Sequence, residues 1–185
     1  MIISQTPYRI SLFGGGTDFE KYYKKFGGEV IGTTINKYCY VTLRDLPPFF
    51  DHKHRFIWSK IENVNNFNQI QHPLVKTIFK YFKIKKGIEI HYDGDLPGNS
   101  GIGSSSSFSV GLINAILSKN KVKISKKELS NLSYHIERNL MREHVGRQDQ
   151  TWASFGGFNH INFNKKGLNV TRINLSELKK KKLFE

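Results

Sequence analysis

The sequence predicts an α+β domain of two layers. Three observations carry that expectation. Segments rich in Val, Ile, Thr and Tyr crowd the stretch from Ile2 to Ser59, apolar residues at helical spacing dominate from Pro73 to Met141, and one glycine- and serine-rich loop, Asp95–Ser107, separates a strand from a helix. Strands first and helices later favour this architecture over a doubly wound sheet.

In order along the chain, Ile2–Phe13 alternates loosely as a strand and runs into Gly14-Gly15-Gly16. A short helix is expected over Phe19–Phe26, stopped by Gly27-Gly28. Glu29–Ile35 and Tyr38–Leu43 read as two strands with a turn near Lys37, and Arg55–Ser59 as another. Pro73 opens a helix, Leu74–Phe82, with Leu74, Ile78 and Phe82 on one stripe, and Gly87–Tyr92 is the strand that enters the loop. Ser104–Leu117 is the helix that leaves it. Ser125 and Glu128 form a capping-box pattern at the head of a helix to about Met141, with Leu129, Leu132, Ile136 and Leu140 as its apolar stripe. A short helix after Asp149, strands over Phe158–Phe163 and Leu168–Ile173, and a lysine-rich helix start from Ser176 complete the chain.

Composition narrows the function classes. With 185 residues, 38% hydrophobic and 13% aromatic, the chain reads as one folded domain, 1–185. Its one cysteine, Cys39, can build neither an internal disulfide nor a zinc cluster, so a reducing compartment, the cytoplasm, is expected. Pro7 and Arg9 interrupt any signal-peptide pattern, and no apolar run approaches the roughly 20 residues of a membrane span. The net charge of +14 suits a nucleic acid, an anionic membrane or a phosphorylated small molecule, and does not choose among them.

The loop is more specific. Gly98, Gly101 and Gly103 let backbone N–H groups approach an anion, the following helix adds its free N-terminal donors, and Ser104, Ser105 and Ser106 supply hydroxyls. This is phosphate-cradle chemistry without the Gly-Lys-Ser/Thr of a Walker loop.

Pro97-x-x-x-Gly101-Ile102-Gly103-Ser104-Ser105-Ser106 resembles the Pro-x-x-x-Gly-Leu-Gly-Ser-Ser-Ala loop of the GHMP kinases, with Ile102 for Leu and Ser106 for Ala. Two further segments agree. Thr6–Asp18 is similar to the galactokinase opening Pro-Gly-Arg-x-x-Leu-x-Gly-Glu-His-x-Asp, with Gly15-Gly16 in place of Glu-His. Gly146-Arg147-Gln148-Asp149-Gln150 is similar to Gly-x-Met-Asp-Gln, and Glu137 stands twelve residues before Asp149, as the family spacing requires. Gly15-Gly16, Gly27-Gly28 and Thr34–Tyr38 look like the branch containing D-glycero-D-manno-heptose 7-phosphate kinases and fucokinases.

The resemblance implies the two-layer GHMP kinase N-terminal domain, a ribosomal protein S5 domain 2-like fold, and an ATP- and Mg2+-dependent sugar kinase acting on the anomeric hydroxyl of a sugar phosphate. It implies ATP binding by Pro97, Gly98, Asn99, Ser100, Gly101, Ile102, Gly103, Ser104, Ser105 and Ser106. Ser105 and Glu137 would hold the magnesium, Asp149 would be the catalytic base with Arg9 beside it, and Gly15, Gly16, Thr17 and Asp18 would meet the sugar. Capping of a helix is the alternative use of Asp149 and of Asp18, a solvated helix position that of Glu137, and a core position that of Trp58. His52, His54, His135 and His144 lack zinc-ligand spacing and are expected to be structural or solvated. Known GHMP kinases carry a second, C-terminal domain that this chain does not show, so the expected partners are ATP, a sugar phosphate and that domain, with no membrane. A kinase for fucose or another sugar, and a non-enzymatic RNA-binding module of the same fold, remain as competing readings.

Overall fold

The computed structural model describes residues 1–98, 100–176 and 179. The expected tail from Ser176 therefore falls almost wholly outside the described residues, as does Asn99 of the loop. Seven strands form one mixed sheet: β1 (Ile2–Phe13), β2 (Gly28–Asp45), β3 (His54–Ile57), β4 (Ile61–Val64), β5 (Ile88–Gly94), β6 (Phe158–Asn164) and β7 (Gly167–Arg172). The helices are α1 (Glu20–Phe26), α2 (Pro73–Tyr81), α3 (Ser104–Lys119), α4 (Lys126–His135) and α5 (Gln148–Phe155).

The long β2 is the spine. One of its edges pairs antiparallel with β1 along nearly its whole length. Its other edge is shared, by β5 along Cys39–Asp45 and by β6 along Gly28–Thr33. The remaining strands extend outward to give the order β4-β3-β5-β2-β6-β7, and β3–β5 is the parallel pair. The expected turn near Lys37 is thus not a turn. Arg9 faces Thr34 and Pro7 faces Tyr38, so β1 bridges both halves of β2 and the intervening residues form a bulge. Asp95 holds the bulge closed: its carboxylate accepts from the Tyr38 N–H at 2.8 Å and its own N–H donates to the Tyr38 carbonyl at 3.0 Å.

The bulge changes which side chains of β1 face inward. Ser4, Thr6 and Tyr8 are buried before it, whereas Arg9 and Ser11 are the half-buried residues after it and Ile10, Leu12 and Phe13 are exposed. The loose alternation of the sequence is this change of phase. Small Ser4 and Thr6 lie under Gly111 of α3, where an added Cβ would meet the Thr6 hydroxyl at 2.8 Å. Helix α3 is consequently sunk into the domain, with Phe108, Val110, Leu112, Ile113 and Ile116 in one core shared with Val41, Leu43 and Ile90 of the sheet and Val75, Ile78 and Phe79 of α2. A smaller cluster of Tyr23, Val30, Trp152, Ile161, Phe163 and Leu168 anchors α1 and α5 to the other end of the sheet.

Two departures matter for the site. Ser125 and Glu128 do form the capping box of α4, but regular helix ends at His135 and a widened turn, Ile136–Leu140, follows, closed by Met141 N–H to Ile136 C=O at 2.9 Å. Helix α5 begins at Gln148, so Asp149 lies inside its first turn instead of capping it. Among the described residues no helix is long and apolar enough to cross a membrane.

Candidate active site

Arg9 leaves β1 just past the bulge and meets Asp149 at the head of α5. The guanidinium Nε donates to Oδ1 and Nη2 to Oδ2, both at 2.8 Å, a two-pronged contact between residues 140 apart in sequence. A third guanidinium nitrogen, Nη1, donates to the Gly101 carbonyl at 2.6 Å, and the Arg9 N–H donates to the Ile102 carbonyl at 3.0 Å. One arginine therefore fixes both the carboxylate and the glycine loop. The pair stays open to ligand, its side chains 14% and 25% exposed.

The loop ends on Gly103, whose φ of 76° lies in the left-handed region open to glycine. A Cβ there would press on Arg9 at 3.3 Å and on an Asp149 oxygen at 3.4 Å, so only glycine lets the loop approach the pair this closely. Among the described residues no side chain caps α3, so the N–H groups of its first turn, which follow Gly103 beside Arg9, stand available to an anion. Within the loop Ser100 donates to the Pro97 carbonyl at 2.7 Å, while Ser105 is exposed and Ser106 is buried.

Glu137 sits on the widened turn after α4 and is only 3% exposed, not solvated on a helix face. Its carboxylate accepts from Ser106 at 2.8 Å, Ser133 at 3.0 Å and Gln150 Nε2 at 2.9 Å. Burial pushes its pKa above the ordinary carboxylate value, against the opposing pull of these neutral donors. The Gln150 carbonyl oxygen is also buried and has no partner among the described residues. These oxygen atoms suit a hard divalent cation. Of the loop serines, however, the one whose hydroxyl reaches Glu137 is Ser106, and the exposed Ser105 makes no hydrogen bond to it.

The glycine loop after β1 shows a second change from expectation. Gly15 and Gly16 line a cavity of about 550 Å³ together with Arg9, Ser11, Gly101 and Gln148. Thr17 and Asp18 do not. The Thr17 hydroxyl is engaged by the Gly14 and Glu29 carbonyls, and the Asp18 carboxylate is fully buried. Asp18 accepts from the Gly16 N–H and the Gln148 N–H, each at 3.1 Å. It is thus a helix cap after all, but for α5, 130 residues away, not for the adjacent α1. Gly146 has no side chain because a Cβ would overlap that carboxylate. Burial raises the Asp18 pKa, while the backbone N–H groups of Gln148 and Gly16 oppose the rise.

Residues 70–157 match the GHMP kinases N-terminal domain family. Over that stretch the chain carries the GHMP kinase N-terminal domain. It is 33% identical over 174 residues to the D-glycero-alpha-D-manno-heptose 7-phosphate kinase of Campylobacter jejuni, a match covering 88% of this chain and 50% of that protein. A D-glycero-D-manno-heptose 1-phosphate kinase from Bacteroides thetaiotaomicron superposes with a TM-score of 0.84 at 26% identity, covering 96% of this chain and 61% of that one. The galactokinase of Lactococcus lactis shares the fold, with a TM-score of 0.70 at 21% identity over 95% of this chain and 48% of its own. This chain therefore spans half the length of the curated relative it matches.

Of the residues singled out in the sequence, the fold brings Arg9, Asp149, Gly101, Ile102 and Gly103 together. Sequence reasoning missed Ser11, Ser133 and the roles of Gln148 and Gln150. The signals were present: Ser133 stands one helical turn before Glu137, and both glutamines flank Asp149 in the motif itself. Trp58 belongs to an aromatic cluster, parallel to Phe56 and donating from Nε1 to Glu62 at 3.0 Å. His54 is buried against the Phe79 ring, and no group of three His, Cys, Asp or Glu able to hold a metal occurs among the described residues.

Proposed function

We propose that this chain is the nucleotide-binding half of an ATP-dependent sugar kinase that phosphorylates the anomeric hydroxyl of a sugar phosphate, D-glycero-D-manno-heptose 7-phosphate being the favoured substrate. The observation that carries the reading is the two-pronged Arg9–Asp149 contact packed against Gly103, the residue that opens α3. The loop N–H groups would take the phosphates of ATP, and Arg9 would face the transferred group. The Arg9 fork fixes one side of the Asp149 carboxylate, leaving its outer lone pairs to accept the proton of an attacking hydroxyl. An anomeric hydroxyl is more acidic than an ordinary alcohol, so a well-placed carboxylate suffices as base.

Magnesium would supply charge neutralisation between the phosphates. Glu137 is the carboxylate that would hold it, with the Ser106 hydroxyl as the partner already in place and Ser105 left to the phosphates. Because Glu137 must be ionised to bind a cation, magnesium affinity should rise with pH. The relatives' greater length supports a second, C-terminal domain that completes the sugar site. The test is ATP consumption by the native two-domain protein with a panel of heptose, mannose and fucose derivatives. Sugar-dependent turnover giving an anomeric phosphate by phosphorus NMR, lost in Asp149→Ala, is expected. Turnover retained in that variant would overturn the base assignment, and no turnover with any sugar would overturn the function.

A further inference from the structure

Beneath Gly15 lies a pair of polar side chains that the phosphoryl-transfer machinery does not use. The Ser11 hydroxyl donates to the Gln148 carbonyl oxygen at 2.9 Å, and the Gln148 amide nitrogen leans on the buried Asp18 carboxylate at 3.4 Å. Both side chains line the same cavity as Arg9. They are uncovered because of what Gly15 lacks: a Cβ built there would stand 3.8 Å from the Ser11 hydroxyl and 3.9 Å from the Gln148 nitrogen, with no other atom within 4 Å. Gly15 is not in the left-handed region, unlike its neighbours Gly14 and Gly16. Backbone conformation therefore does not demand glycine at this position.

The hydrogen bonds already made leave a defined remainder. A primary amide has two N–H donors and two carbonyl lone pairs. Gln148 gives one donor to Asp18 and one lone pair to Ser11, so among the described residues one donor and one acceptor stay without a partner, held at fixed orientation. Asp18 is itself fixed by two backbone N–H groups, one of them that of Gln148. A neighbouring donor and acceptor in a half-buried setting match a sugar hydroxyl, which both gives and takes a hydrogen bond. They do not match a phosphate, which only accepts.

We infer that Ser11 and Gln148 are specificity-determining residues that read a sugar hydroxyl other than the one phosphorylated, through the window left by Gly15, with Asp18 as the positioning residue behind them. This rests on the sugar-kinase reading above and names which side chains choose the sugar. Gln148 directly precedes Asp149, so the same turn of α5 presents the reader and the base. A site built to pair with a hydroxyl rejects an analogue lacking it, because its own polar groups are then left unpaired.

The experiment measures the two Michaelis constants of the native protein, with D-glycero-D-manno-heptose 7-phosphate and with its monodeoxy analogues. Gln148→Leu should raise the sugar KM about tenfold, the worth of a hydrogen bond or two, and leave the ATP KM within about twofold. The variant should also lose the wild-type preference for the full sugar over one monodeoxy analogue, which a merely structural role would not produce. Gly15→Ala leaves the pair intact but covers it, and should raise the sugar KM in the same direction without backbone strain. If both variants keep the wild-type sugar KM and deoxy preference while the wild type turns over, the inference falls and the kinase reading stands. If the wild type consumes no ATP with any sugar, the kinase reading falls and takes the inference with it.

Discussion

Asp149 and Glu137 are both carboxylates of one site, twelve residues apart in sequence, and the fold treats them in opposite ways. Asp149 is a quarter exposed and matched by a full positive charge; Glu137 is sealed in and matched only by neutral hydroxyl and amide donors. An arginine fork fixes orientation without closing the site to solvent, which suits a group that must touch a substrate. A cage of neutral donors holds position equally well but leaves the charge uncompensated in a poorly polarisable setting. The contrast separates a residue that is ready as it stands from one that awaits a cation.

The largest effect that would sharpen this contrast is at the exposed member. Asp149→Asn keeps the shape but removes the base and exchanges one of the two oxygens that accept from the Arg9 fork for an amide donor, so kcat should fall about a thousandfold, with a much smaller change in thermal midpoint. Steady-state kinetics beside a melting curve check it, and a loss under tenfold would mean that Asp149 is held by Arg9 for structure alone. Next comes the fork. Arg9→Lys keeps the charge but cannot span both Asp149 oxygens and the Gly101 carbonyl, and kcat should drop about ten- to a hundredfold through misplacement.

The smallest effect belongs to the sealed member and is read as stability in buffer free of divalent cations. The folded-state pKa of Glu137 is raised, so its contribution is fully present below the unfolded carboxylate value and is lost as pH rises through the folded one. Glu137→Gln cannot ionise and escapes that loss. The variant should therefore gain on the wild type in thermal midpoint as pH goes from about 5 to about 8, the direction linkage dictates. Parallel curves would break the comparison, showing Glu137 to be no more burdened by its charge than Asp149.

What the sequence revealed follows the same division. The loop, Arg9 and Asp149 were legible because glycine and charge at fixed spacing are local signals that the fold merely brings together. The bulge opposite Pro7–Arg9 was not, since Asn36-Lys37 reads locally as a turn and becomes a strand irregularity only when β1 lies across it. The short polar β4 hides for the same reason, as it is a strand only by pairing with β3. Asp18 was recognised as either a cap or a sugar ligand, and no local pattern could say that the helix it caps starts 130 residues later. Ser106 passed as a mild replacement for alanine, although in three dimensions it is the loop hydroxyl that meets Glu137.

That distant cap bears on how the domain assembles. The bonds joining Arg9 to Asp149 and Asp18 to Gln148 close loops of 140 and 130 residues, near the full span of the described fold. Loop-closure entropy makes such contacts late, after local hairpins and helices have shortened the effective chain. During synthesis the first strand and its glycine loop must wait for α5 to emerge before either carboxylate finds its partner. The site is thus the clasp of the fold: it forms when both ends of the domain are in place, and a chain stopped before α5 has every early element and no active site.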